Sequence, residues 1–261
     1  MVLQAPAQRQ QPSVTWTHLP DDFVLPNDPG ENIQQPALAA ALTDALSAGD
    51  RLQSQILIAS NFGLVATVEQ KTVVKAPDWF YVPQVLAISP ETIRRSYTPS
   101  LEGDPVAVVI EFLSETDAGE YSIRPTYPYG KFYFFEQILK VPTYVIFDPL
   151  SLSLEVRCLQ AGTYVLQAPN PEGRYWIPEI ELFLGLWQGT RVGMTIHWLR
   201  WWDEAGQLLL WSSEQAEQER QRADQEHQRA ETAIAALETE RHQTAALAAK
   251  LKELGIDPAA L

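Results

Sequence analysis

Residues 105–149 read PVAVVIEFLSETDAGEYSIRPTYPYGKFYFFEQILKVPTYVIFDP, and their pattern decides the fold class. Residues 106–113 form a nearly continuous apolar run of strand length, as expected for a strand covered on both faces. Across 129–139, Phe132, Phe134, Phe135, Ile138 and Leu139 recur at helical spacing; Pro142 then marks a boundary, and 144–147 is again strand-like. Strand, helix and strand with a crossover of this length predict a right-handed parallel βαβ unit. Glu111 interrupts the first strand. A buried carboxylate costs several kcal/mol unless it is paired, protonated or bound to a cation, so this residue needs a chemical explanation.

Upstream, Leu38, Ala41, Leu42, Ala45 and Leu46 make an amphipathic stripe that predicts a helix over about 34–47, preceded by the turn residues Asp28, Pro29 and Gly30. Two extended segments follow, 55–68 and 72–82, read as consecutive antiparallel strands with 69–71 as their turn. Asn61 and Gly63 predict a bend in the first, and Pro77 an edge position or kink in the second. Residues 83–104 form a long loop, either functional or a plain surface excursion.

Downstream, SLSLEVRCL and TYVLQA predict a hairpin turning at Ala161 and Gly162, and RYWIPEIELFLGLW closes the core. HWLRWWDEAGQLLLW reads as a further hairpin around DEAG, with Trp198, Trp201, Trp202 and Trp211 expected in the core rather than on a binding platform. From Ser212 to about Leu254 the chain has neither Pro nor Gly. Ser212 and Gln215 suggest a capping box, and the repeat QERQRAD–QEHQRAE puts Ala216, Ala223, Ala230 and Leu237 in one column. Glu217–Arg220, Glu219–Arg222, Glu226–Arg229 and Glu238–Arg241 are spaced for ion pairs. The companion column holds Arg220, His227 and Arg241, leaving a solvated helix and a homodimeric coiled coil both open; Gly255 and Pro258 end it. The expected organisation is a tail (1–20, docking through Val14 and Trp16), an α/β domain (21–211), a charged helix (212–254) and a short tail (255–261).

A chain of 261 residues, 46% hydrophobic with eight Trp, can bury a full core. The single cysteine, Cys158, precludes an internal disulfide framework and reads as a small buried hydrophobe. Neither a secretory h-region nor a membrane-spanning apolar run occurs, so a cytoplasmic protein is expected. A net charge of -14 argues against a broad nucleic-acid surface. Scattered histidines, with no Gly-rich phosphate loop or Ser elbow, set aside zinc, nucleotide and serine-hydrolase chemistry.

If the strand 72–82 neighbours 106–113, Asp78 and Glu111 converge at one end of the sheet. Two hard oxygen ligands, with waters completing the shell, suit Mg²⁺ or Mn²⁺, and such an ion activates water and stabilises a phosphoryl transition state. Lys131 could place a cation beside them. Alternatively Asp78 is a turn residue, Lys131 is solvated, and Glu111 pairs with Arg94, Arg95 or Arg124.

KAPDWFYVP, VVIEFLSETD and GKFYFFEQILKVPTYVIFDP resemble the Uma-two family of the PD-(D/E)XK nuclease superfamily over roughly residues 20–190. The resemblance implies a restriction-endonuclease-like mixed sheet flanked by helices, with Asp78 and Glu111 as metal ligands for phosphodiester hydrolysis of nucleic acid. In the superfamily pattern a Lys lies two residues after the Glu; here that residue is Leu113, and Lys131 is the expected substitute. Glu31 is a further candidate ligand, and Glu120 and Arg124 lie on a loop whose position the sequence does not give. The competing expectation is a catalytically degenerate fold that associates through its C-terminal helix.

Overall fold

The computed structural model describes residues 33–89, 91–114 and 119–253. Glu31, the turn at 28–30, the N-terminal tail and the helix stop at Gly255 and Pro258 lie outside them. Helix α1 (Gln34–Ala48) buries the predicted stripe. Asn61, at φ 48°, and Pro77 divide the two long extended segments into four strands. Of these, β1 (Leu57–Ala59) and β4 (Trp79–Val82) join the main sheet, whereas β2 (Leu64–Val68) and β3 (Lys71–Lys75) form a separate hairpin turning through Glu69 and Gln70, both at positive φ.

The main sheet has six strands in the order β1-β4-β5-β6-β7-β8, with β5 (Val108–Phe112), β6 (Thr143–Asp148), β7 (Ser153–Gln160) and β8 (Thr163–Leu166). Strands β5 and β6 run parallel, as the crossover requires, and every other pair in the sheet is antiparallel. The crossover helix, α2, is shorter than its apolar pattern suggests: one α-turn, Lys131–Tyr133, widens into a π-turn, Phe134–Ile138.

The period of two along β5 sorts its side chains between two cores. Val108, Ile110 and Phe112 face α1 and a second sheet, made of β9 (Tyr175–Ile177), β10 (Leu182–Arg191) and β11 (Met194–Trp202). Val109, with Phe80 and Val82 of β4, faces the β2–β3 hairpin and α2 through Leu64, Val73, Phe134 and Phe135. Glu111 takes its turn on this second face.

The Trp-rich arm 197–202 pairs with β10 through a turn at Val192 and Gly193, and the expected DEAG hairpin is present in short form, with Trp202 bridged to Leu208 and Leu209 N–H donating to Trp201 O. Its sharp bend at 203–206 delivers Trp211 to the core. All four of these tryptophans are buried, and Trp201 and Trp211 donate their indole N–H groups to the carbonyls of Leu42 and Ala41 in the middle of α1. Cys158 is half-buried against Thr143 Oγ1, and burial raises its thiol.

Helix α3 (Ser212–Glu253) is rooted in this core and exposed beyond it. Its cap differs from the expected box. Glu214 Oε2 accepts from Trp211 N–H, whereas the Ser212 hydroxyl donates to Asp44 of α1 and Gln215 donates to Ala48 O. Arg200, fully buried, gives Glu214 two hydrogen bonds of 3.2 and 2.7 Å and lies 3.4 Å from the Trp211 ring centroid. Further out, Glu217 pairs with Arg220 as expected, and Arg222 reaches forward to Glu226. The loop 83–104 is folded back, held by the Val85–Gly103 bridge, the Arg94–Glu102 ion pair and buried Tyr97.

Candidate active site

The register of β4 against β5 pairs Trp79 with Ile110. One step beyond, Asp78 comes opposite Glu111, and its Oδ2 accepts the Phe112 N–H at 2.6 Å. The kink at Pro77 ends the ladder at this point, so the Asp78 side chain caps the β5 backbone instead of continuing the strand. From the other side of Phe112, Gln35 at the start of α1 donates to its carbonyl at 3.0 Å. Glu111 is thereby fixed at the end of a strand held from both sides.

Glu111 is completely buried, and its Oε2 accepts from Lys131 Nζ at 3.2 Å. None of Arg94, Arg95 or Arg124 is its partner: Arg94 pairs with Glu102, Arg124 contacts Thr126 and Tyr127, and Arg95 is exposed. Lys131 is reached because α2 is preceded by Gly130, where an added Cβ would lie 2.0 Å from Ser122 O. Only glycine permits that approach. The close packing sets the 3₁₀ turn Gly119–Tyr121 beside α2, so Glu120 Oε1 stands 3.0 Å from Lys131 Nζ. Tyr144 O–H donates to Glu120 O and holds the turn down.

Three carboxylates thus surround one ammonium, and Glu111 Oε1 and Glu120 Oε2 are buried with no hydrogen-bond partner among the described residues. Burial raises Glu111 well above the usual carboxylate range; Lys131 opposes this, while Asp78 and Glu120 add to it. Burial also raises Asp78, against the Phe112 N–H and Lys131. For Lys131, burial favours the neutral amine, but Glu111 and Glu120 outweigh it and raise its pKa. The amine stays charged at neutral pH and cannot serve as a general base there.

No group of three His, Cys, Asp or Glu among the described residues is arranged to hold a metal ion. Asp78 and Glu111 nonetheless fit a small hard cation that retains most of its waters: adjacent carboxyl oxygens, and a Glu111 oxygen that has no donor among the described residues. Sequence reasoning named Asp78, Glu111 and Lys131, and the fold brings all three together. It left Glu120 unplaced, because nothing in a polar loop tells where the loop returns; the one local signal is Gly130 next to Lys131.

The family model Uma2, described as "Putative restriction endonuclease", matches residues 10–194. The chain belongs to the Uma2 family. No curated protein matches it. The matched Uma2 region contains Asp78, Glu111, Glu120 and Lys131, and it ends at the turn between β10 and β11. The rest of β11, Trp211 and α3 lie beyond the Uma2 match. The mixed six-stranded sheet and the nuclease description of Uma2 agree with the restriction-endonuclease-like fold expected from the sequence. No helix among the described residues is long and apolar enough to cross a membrane.

Proposed function

We propose that this protein is a metal-dependent nuclease that hydrolyses phosphodiester bonds of nucleic acid at the Asp78–Glu111–Lys131 site. The observation that carries the reading is the fully buried Glu111, with one oxygen unpartnered among the described residues, beside Asp78 and the Lys131 ammonium. Mg²⁺ or Mn²⁺ bound there would supply a polarised water and a counter-charge for the phosphoryl group. Asp78 and Glu111 would hold the cation. Lys131 is charged and about a quarter exposed at its side chain, so it can reach a phosphate oxygen or orient the attacking water while remaining protonated. Water adds to phosphorus, the bond to the leaving oxygen breaks, and that oxygen takes up a proton. Cleavage of DNA or RNA in Mn²⁺ by wild type, but not by Asp78→Asn, tests the reading. No cleavage of either, in single- or double-stranded form, would contradict it.

A second reading rests on α3. Forty-two residues span about 63 Å at 1.5 Å per residue, and beyond its root the helix has no buried side chain. Ile234, Leu237 and Leu247 are all exposed on it. A polar helix this long gains little from its own sparse apolar positions, and a second copy of the chain, pairing along the Ala230–Leu237 column, would cover them. This association is compatible with a nuclease; alone, with a silent site, it would make the protein an assembly module.

A further inference from the structure

Lys131 poses a difficulty for the cation site proposed above. Its ammonium already occupies Glu111 Oε2, so a divalent ion arriving at Glu111 meets a like charge bonded to its ligand. Glu120 resolves the conflict. Its Oε1 lies 3.0 Å from Nζ, nearer than Glu111 at 3.2 Å, and its side chain is 7% exposed. The seat is built rather than fortuitous. Tyr144 donates to Glu120 O, and Tyr133 N–H donates to Ser122 O across the close contact at Gly130. Glu120 Oε2, buried and without a hydrogen-bond partner among the described residues, offers the ammonium a second acceptor on the same group.

We propose that Glu120 is a positioning residue that holds Lys131 in place while Glu111 is given over to the cation. A lysine has three donors, and two carboxylates on different elements share them here. When a cation draws on Glu111, the lysine gives up one bond and keeps the other, staying at the mouth of the site. Without Glu120 it would have to compete with the cation for Glu111 and Asp78. The inference rests on the cation-site reading and predicts a coupling that the reading alone does not.

The test is a double-substitution cycle in Mn²⁺ affinity, measured by calorimetry on the full chain. Glu120→Gln is expected to weaken Mn²⁺ binding about tenfold, the equivalent of one charge-assisted hydrogen bond. In a Lys131→Gln background, where no ammonium competes, adding Glu120→Gln should change the affinity less than about twofold. An equal loss in both backgrounds would mean that Glu120 acts on the cation directly, and no loss in either would mean that it does not act; each overturns the proposal. Circular dichroism checks the fold, and Glu120→Asp, which keeps the charge, should restore part of the affinity if Glu120→Gln proves unstable. Absence of Mn²⁺ binding by wild type would overturn the cation site and this inference with it, a result distinct from binding that ignores Glu120.

Discussion

Lys131 Nζ stands 3.2 Å from Glu111 Oε2, joining the first residue of the crossover helix to the strand that precedes it. Leu113 stands two residues after Glu111, so the ammonium beside this carboxylate comes from the crossover helix and not from β5 itself.

Lys131 should therefore matter to catalysis through its charge. With bis(p-nitrophenyl) phosphate as a generic phosphodiester in Mn²⁺, Lys131→Gln is expected to lower kcat roughly hundredfold, as for loss of one preorganised donor. Lys131→Arg should retain more activity than Lys131→Gln. Equal activity of Lys131→Gln and wild type would remove the lysine from the chemistry.

The acid–base balance of Glu111 sets a stability trend. In the folded protein it keeps its proton well above its ordinary value of 4.5, so above that pH the unfolded chain binds fewer protons and stability falls as pH rises towards the folded value. In EDTA, the Tm of wild type should fall relative to that of Glu111→Gln as pH rises above the ordinary carboxyl value of 4.5. Parallel Tm curves for the two proteins would contradict the assignment.

Much of this site was legible because β5 is buried on both faces: a lone Glu in an apolar strand cannot be a solvated side chain. Pro77-Asp78 was legible for a similar reason, since a proline ends the ladder and the next acid caps what remains. The misreadings share a physical cause. DEAG does close a short hairpin through Trp202 and Leu208, but the longer ladder of the same arm, with β10 from Phe183 to Arg191, closes at Val192-Gly193, whose turn chemistry is the weaker signal. Ser212 has the chemistry of a helix cap, but Asp44, 168 residues away, takes its hydroxyl. Glu120 depends on the path of a loop that carries no periodicity.

The root of α3 is part of the folded body. Glu214→Gln leaves the fully buried Arg200 without its counter-charge and should cost about 2 kcal/mol in urea unfolding, whereas Arg220→Ala, at an exposed pair, should cost less than about 0.5 kcal/mol. Similar costs for both would mean that the Arg200–Trp211–Glu214 cluster does not anchor the helix.

Self-association through α3 is separable from that anchoring. A chain ending at Gln221 keeps Trp211, Glu214 and Gln215, and so should retain the Tm of the body. By light scattering the full chain should be a dimer and the shortened chain a monomer. A monomeric full chain at tens of micromolar would contradict pairing along this helix.

The most direct measurement is Mn²⁺ calorimetry on wild type, Asp78→Asn and Glu111→Gln, since it requires no knowledge of the substrate. Binding by wild type that each substitution abolishes, with the fold retained by circular dichroism, is the predicted result. No heat from wild type at millimolar Mn²⁺, or unchanged binding by both variants, would contradict the claim that these two carboxylates form a cation site.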